Sequence, residues 1–177
     1  MIYDENAWLA ELYKNVEFID AKDEQRVWRS QSHIALEKRI MFSCYIVRKL
    51  YESKCIKKSI YNSQVVVSEY KSLGKKATSN QSRKLHELYE LNAPSIELRP
   101  FSFVINQLIH SFSFVLVFRE KNHIEGFAFN SDKTKNGAVY LITLSEFLSV
   151  LSPIAGYNKI TTTLIQNKDG SWQVLKE

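Results

Sequence analysis

Residues 101–115 read FSFVINQLIHSFSFV, and the spacing of their apolar side chains changes partway along the stretch. From Phe101 to Phe112 the apolar residues recur at the spacing of an amphipathic helix, and Pro100 suits the first helical position. From Phe112 to Phe118 aromatic and leucine side chains alternate with Ser and Val, at the period of a strand. The stretch therefore predicts a helix that leads directly into a buried strand.

The same stretch is the candidate for a membrane span, because no charged side chain lies between Arg99 and Arg119 if His110 is neutral. Such a run approaches the length of a transmembrane helix. However, Asn106, Gln107 and three serines would then lie in lipid, where polar groups without partners are costly. We therefore interpret the stretch as part of a protein core and expect no membrane span.

The chain before this stretch is predicted to be mainly helical. Helices are expected over about residues 5–16, 23–55 and 82–91. The second is the longest, and its apolar stripe through Leu36, Ile40 and Cys44 marks it as central to the fold. Residues 59–70 are ambiguous, although QVVV favours a strand. The polar segment KSLGKKATSNQS, residues 71–82, is predicted to be a loop.

The chain after the stretch is predicted to be rich in strands. Strands are expected over about residues 112–119, 123–130 and 138–143. Turn residues separate them, with Lys121 and Asn122 in the first turn and NSDKTKNG in the second. Residues 144–154 predict a short helix that is capped by Ser145 and ends near Pro153. KITTTLIQ and SWQVLK then predict a terminal hairpin.

The expected fold class is α+β, with N-terminal helices including one long central helix, followed by a mostly antiparallel sheet with a short helix. We expect a single domain over residues 1–177, because 45% hydrophobic content suits one packed core. Within it we distinguish a helical part (1–58), a basic connecting region (59–95) and a helix plus β-rich part (96–177).

The two cysteines, Cys44 and Cys55, are predicted to lie three turns apart in the long helix, which is too far for a disulfide. Unpaired thiols favour a reducing, cytoplasmic location. The chain begins with MIYDE, which lacks the basic and apolar regions of a secretory signal, so no such signal is expected.

Charge is distributed unevenly around the net total of +5. Residues 1–26 carry seven acidic and three basic side chains, whereas residues 48–84 carry ten basic and two acidic ones. Tyrosines interleave with these cations, which suits phosphate contacts and base stacking. The residues predicted to bind an anionic partner are Arg48, Lys49, Lys54, Lys57, Lys58, Lys75, Lys76, Arg83 and Lys84. The alternative is a solvated basic surface, or one that docks the acidic N-terminal helix of its own or a neighbouring chain.

Common catalytic and cofactor motifs are absent from the sequence. It contains no Walker loop, Rossmann glycine fingerprint, HExxH, CxxC pair or GxSxG elbow. The four histidines show no metal-ligand spacing. We therefore expect no cofactor and no metal. The absence of these motifs also argues against most classes of enzyme.

One polar constellation remains as a candidate catalytic site. On the predicted helix, Ser102, Asn106 and His110 recur every four residues and share a polar stripe. Asn106 could orient the His110 imidazole, and histidine is the usual general acid or base near neutral pH. The alternative is structural, with His110 at the helix C-terminus interacting with the helix dipole and the last carbonyls.

Residues 105–110, INQLIH, resemble the RNxxxH motif of the HEPN-family ribonucleases, with Asn106 and His110 at the matching positions. The resemblance implies RNA cleavage in which an arginine and the histidine act together on the phosphodiester, within an α-helical bundle. Ile105 occupies the arginine position here, so its role would fall to a residue such as Arg48 or Arg99.

The sequence thus predicts a non-enzymatic binding protein whose basic middle segment contacts an anionic or protein partner, either nucleic acid or an acidic protein surface. One alternative is an RNA-cleaving or other hydrolytic enzyme that uses Asn106 and His110. The other is a self-associating protein, whose acidic first helix pairs with the basic face in a homo-oligomer.

Overall fold

The computed structural model describes residues 2–156, 162–166 and 171–176, and for strands 162–166 and 172–176 it describes the backbone alone. Its helices are α1 (Glu5–Asp20), α2 (Ser30–Glu52), α3 (Lys58–Tyr61), α4 (Leu85–Leu88), α5 (Phe101–Ile109) and α6 (Leu144–Ala155). Its strands are β1 (Gln64–Lys71), β2 (Ser95–Pro100), β3 (Ser111–Phe118), β4 (Ile124–Ser131), β5 (Ala138–Thr143), β6 (Thr162–Gln166) and β7 (Trp172–Lys176). The predicted α+β class is confirmed.

Five strands form one sheet in the order β2-β1-β5-β4-β3, and every neighbouring pair is antiparallel. The strands β2 and β3 therefore lie at the two edges. The strands β6 and β7 pair with each other, also antiparallel, which confirms the predicted terminal hairpin. The predominance of antiparallel pairing in the prediction is likewise confirmed.

Four helices cover one face of the sheet and form the larger core. Side chains of α1, α2, α5 and α6 pack there against the inward side chains of the strands, including Phe127 and Phe129 of β4. Ala128, between these two residues, points to the other face, as the period-two geometry of a strand requires. On that face Ala128 packs with Leu88 and Tyr89 from the segment 72–90. The sheet is thus sandwiched between helices and a long connecting segment.

The stretch that changes period folds as a helix followed by a strand, as predicted. The helix α5 buries Phe101, Val104 and Ile105, and it begins directly after Pro100 ends β2. The strand that follows, β3, is an edge strand in which Ser113 alone is buried, so the prediction of a buried strand is wrong. The side chains on both faces of β3 are apolar because one face packs against the larger core and the other packs against the cluster under the segment 72–90.

Two predicted helices are shorter than expected. The long helix α2 begins at Ser30, since Ala21–Glu24 form a separate 3-10 turn. It ends at Glu52, so Cys55 lies beyond it, and both cysteines are free. The helix predicted over 82–91 is reduced to the single turn α4. The ambiguous segment 59–70 contains a helical turn, α3, and most of the strand β1.

The ends of α6 also differ from the prediction. Thr143, and not Ser145, caps the helix by accepting a hydrogen bond from the Glu146 N–H at 3.1 Å. The helix continues past Pro153 to Ala155, and the C-cap residue Gly156 has a φ of 66°, the left-handed conformation that glycine adopts at helix ends. No helix within the described ranges is both long and apolar enough to cross a bilayer.

Candidate binding groove

A groove of about 610 Å³ runs beside the sheet edge formed by β3. One wall is the start of α2, with Trp28, Arg29 and His33, and the opposite wall carries Arg83 from the segment 72–90. The floor is the middle of β3, residues 114–116. This volume lies in the range of natural ligand sites.

The floor of the groove presents unpaired backbone groups. The Ser113 N–H points towards β4, because it donates to Oδ1 of Asn130 at 3.2 Å. Backbone groups of an antiparallel strand point alternately to its two sides. The N–H and C=O groups of Phe114 and Leu116 therefore point away from β4, into the groove. Such groups can pair with another extended chain.

The α2 wall is an anchored aromatic surface. The Trp28 indole donates from Nε1 to the Asn122 carbonyl at 3.1 Å, which holds the ring in place. Its ring lies edge-on to Phe118 at a centroid distance of 5.0 Å and edge-on to His33 at 5.5 Å. This cluster combines apolar area with polar edges, as is usual at binding surfaces.

Two arginines make the groove electropositive. Arg29 occupies the N-cap position of α2 without capping it, and Arg83 faces it from the other wall. Both side chains are exposed, and neither guanidinium forms a hydrogen bond or ion pair with another described residue. The N-terminus of α2 adds a partial positive charge. Of the described residues that line the groove, Glu37 is the single carboxylate.

Three of the nine predicted binding cations are already paired within the chain. Arg48 and Lys49 both bind Glu52, at 2.9 and 2.8 Å, and Lys84 binds Glu87 at 3.1 Å. The hydrogen bonds to Lys49 and Arg48 lower the pKa of Glu52, and the bond to Glu52 raises the pKa of Lys49.

The remaining predicted cations are exposed but do not lie on one surface. Lys54, Lys57 and Lys58 follow α2 in the helical layer, where neighbouring side chains pack on the larger core. Lys75 and Lys76 lie in the segment that covers the other face of the sheet. Of the nine, Arg83 lines the groove.

Asn106 and His110 are both exposed, and His110 forms the C-cap of α5 through its N–H, which donates to the Asn106 carbonyl at 3.2 Å. Neither side chain makes a hydrogen bond to another described residue. Ser102, the third member of the stripe, donates instead to Oδ1 of Asn62 at 2.6 Å. Ile105, at the position of the motif's arginine, is fully buried.

The arginines suggested as replacements are engaged elsewhere. Arg99 binds Glu69 at 2.9 Å, and Arg48 is bound to Glu52. Arg99 also precedes α5, whereas His110 ends it, so about 14 Å of helix separates them at 1.5 Å per residue. Catalysis by Asn106 and His110 stays a sequence-based prediction. Among the described residues no cluster of potential metal ligands occurs.

The groove itself was not predicted from the sequence. The sequence predicts a helix that begins at residue 23 and includes Trp28 and Arg29, and β3 carries no signal that marks it as an edge strand. Comparison of the chain with protein-family models, curated proteins and solved structures found no match.

Proposed function

We propose that this protein is a non-enzymatic binding module that takes an extended acidic segment of a partner protein along β3. The observation that carries the proposal is the open edge of β3 at the floor of an electropositive groove. Addition of a strand to a sheet edge is a common mode of peptide recognition, since main-chain hydrogen bonds provide affinity and flanking pockets provide specificity.

The edge of β3 is suited to this pairing. Residues 111–118 contain no charged residue and no proline, both of which restrict the chains with which an edge strand can pair. Its register with β4 is regular from Ser113 to Val117. The two walls of the groove limit access to a single extended strand, so the edge of a second sheet does not fit against β3.

The walls favour a particular composition of the bound segment. Side chains of an extended chain alternate between its two sides, so one set would face the α2 wall and the other would face Arg83. Carboxylates complement Arg29 and Arg83, and an apolar side chain complements the Trp28 surface. An extended segment with acidic and β-branched residues fits all of these contacts.

A protein segment suits these contacts better than a nucleic acid does. Nucleic-acid binding would favour a continuous track of free cations along one surface. Here the predicted binding cations lie in two layers on opposite faces of the sheet, and three are paired with carboxylates. Since both cysteines are free thiols, we place this activity in a reducing, cytoplasmic setting.

The test is fluorescence anisotropy with a labelled octapeptide, Glu-Glu-Val-Thr-Val-Thr-Glu-Glu, at low and high salt. The same peptide with Lys in place of Glu and a single-stranded RNA octamer serve as comparison probes. We expect the acidic peptide to bind, and we expect the double variant Arg29→Glu, Arg83→Glu to lose this binding. The double variant Lys57→Glu, Lys75→Glu makes the same charge change outside the groove and should bind as the wild type does.

Other outcomes would overturn the proposal. If the acidic peptide does not bind at low salt, the groove is not a site for acidic segments. If the Lys57 and Lys75 substitutions weaken binding as much as the arginine substitutions do, the interaction is with the general basic surface. Binding of the RNA without the peptide would favour the nucleic-acid hypothesis.

A further inference from the structure

The second edge of the sheet, β2, exposes an apolar strip. Ile96 and Leu98 are 67% and 65% exposed, and Val66, which lies opposite Leu98 on β1, is 44% exposed. All three point to the sheet face on which the segment 72–90 lies. That segment covers β5, β4 and β3, and these three side chains lie beyond it. Side chains of this size that cluster on one surface commonly mark an interaction site.

The backbone of β2 is oriented for pairing at Leu98. Gln64 lies opposite Pro100 in the register of β1 and β2, so Ser63 lies opposite Phe101, one step further along. The Phe101 N–H donates to the Ser63 carbonyl at 2.8 Å, which makes this a hydrogen-bonded pair. Because hydrogen-bonded pairs recur every second residue, the N–H and C=O groups of Leu98 point away from β1.

The neighbouring strand supports this orientation independently. Val66 lies opposite Leu98 in the register of the two strands, yet its N–H donates to a carboxylate oxygen of Glu146 at 2.7 Å, on the side away from β2. Neither residue of this pair therefore directs its N–H to the other, as expected for a non-hydrogen-bonded pair.

The opposite face of β2 carries one charge of each sign beside Leu98. Glu97 precedes it and Arg99 follows it, so both side chains point to the face opposite Leu98. Arg99 binds Glu69 of β1. Glu97 is half-buried and forms no ion pair with any described residue. Charges on an edge strand disfavour pairing with most other chains, but the sequence from 97 to 99 is self-complementary when two copies run antiparallel.

We propose that β2 pairs with β2 of a second copy of this chain, antiparallel about a two-fold axis at Leu98. In this register Leu98 lies opposite the partner's Leu98, and the two exchange two backbone hydrogen bonds. Glu97 lies opposite the partner's Arg99, and this ion pair occurs twice. The apolar strips of the two copies, each formed by Ile96, Leu98 and Val66, then become one continuous apolar surface. The two five-stranded sheets become one sheet of ten strands.

Other registers satisfy fewer of these groups. A pairing centred on Glu97 places like charges opposite each other and uses backbone groups that already face β1. A pairing centred on Ile96 leaves Glu97 opposite Ser95. A two-fold axis also closes the assembly, because each copy uses the same patch once. This pairing is separate from the groove, whose walls at β3 exclude the edge of a second sheet.

Disulfide trapping tests the register. In the background Cys55→Ser, Leu98→Cys brings two thiols together across the axis at a Cα separation of about 5.5 Å, within the range of a disulfide. Ile96→Cys is the matched control, because it is equally exposed but separated from its counterpart by four residue steps, about 13 Å. We expect mild oxidation to yield a covalent dimer with Leu98→Cys and monomer with Ile96→Cys.

Sedimentation equilibrium tests the association itself in the absence of new thiols. The wild type should sediment as a dimer, and Glu97→Arg, which places arginine opposite the partner's Arg99 twice, should shift it to monomer. Glu17→Arg makes the same change on the exposed side of α1 and should remain dimeric. The proposal is overturned by a monomeric wild type, by equal trapping at positions 96 and 98, or by dissociation on Glu17→Arg.

Discussion

The buried carboxamide of Asn130 donates to the hydroxyl of Tyr89 at 2.7 Å and thereby joins the sheet to the segment that covers it. Asn130 also accepts the Ser113 N–H through Oδ1, so one side chain connects the covering segment to the edge strand β3. The Tyr89 hydroxyl in turn donates to the Lys135 carbonyl at 2.6 Å. Asn130 thus connects β3, which forms the floor of the groove, to the segment 72–90, which carries Arg83.

We expect Tyr89→Phe to destabilise the protein. The substitution leaves one hydrogen of the buried Asn130 carboxamide and the carbonyl of the half-buried Lys135 without a partner, which costs about 1–3 kcal/mol of unfolding free energy. Urea denaturation followed by circular dichroism measures the change. Tyr3→Phe removes a hydroxyl from a fully exposed ring and should leave the midpoint unchanged. Equal midpoints for Tyr89→Phe and the wild type would contradict the prediction.

Gly126→Ala should be strongly destabilising. A Cβ at Gly126 would overlap the Ile142 carbonyl oxygen and lie 2.7 Å from the Cα of Thr143, both backbone atoms of the paired strand β5. Strand separation would have to increase, at a cost of several kcal/mol, on the order of the largest effects of single substitutions.

Gly137→Ala is the matched control for Gly126→Ala. The nearest atom to a Cβ at Gly137 is the Thr134 carbonyl oxygen at 3.5 Å, an ordinary contact. We therefore expect a soluble variant with a melting temperature close to that of the wild type. Similar losses at both glycines in thermal denaturation would show that the close approach of β4 and β5 is not the cause.

The two thiols should differ in reactivity. Cys44 is fully buried, and this burial raises its pKa far above the usual range of a thiol, so almost no thiolate forms. Cys55 is half-buried, and desolvation raises its pKa, with a further contribution from a hydrogen bond to Glu5. Because the thiolate is the reactive form, we expect Cys55 to react slowly at neutral pH and faster as the pH rises.

Titration with Ellman's reagent checks this difference. One thiol should react in the native protein, and Cys55→Ser should abolish that reaction. The second thiol should appear when urea unfolds the chain. Native reaction of Cys44 at the rate of Cys55 would be inconsistent with its burial.

The Glu52 carboxylate should stabilise the end of α2 in a pH-dependent way. Its pKa is lowered in the folded state by hydrogen bonds to Lys49 and Arg48. A carboxyl with a lowered folded-state pKa contributes stability above its unfolded pKa, and this contribution is lost as the pH falls through the folded value. Glu52→Gln should therefore be less stable than the wild type at neutral pH, with the difference closing in acid.

Urea denaturation of both proteins at about pH 7 and about pH 2.5 brackets this transition, since an unperturbed Glu titrates near pH 4.3. Glu17→Gln is the control, because Glu17 is exposed and pairs with no described residue. A difference between Glu52→Gln and the wild type that persists unchanged in acid would show that charge is not its source.

Local sequence was sufficient to predict most elements of this fold. The change of period at residues 101–118 predicted α5 and β3 because each depends on the alternation of apolar side chains along one segment. The hairpin order of β3, β4 and β5 followed from turn residues such as Lys121 and Asn122, both left-handed in the structure. The limits of α2 and α6 were less accurate, because the capping residue at a helix start depends on neighbouring contacts.

What the sequence by itself determined is thus the α+β class and the order of its elements. Tertiary structure alone decided which strands lie at the edges and which cations lie together, since both depend on residues distant along the chain. The sequence pattern of β3 suits a buried strand, and only its place in the sheet leaves its backbone open. Arg29 and Arg83 are 54 positions apart and meet across the groove because α2 and the segment 72–90 pack on opposite faces of one sheet.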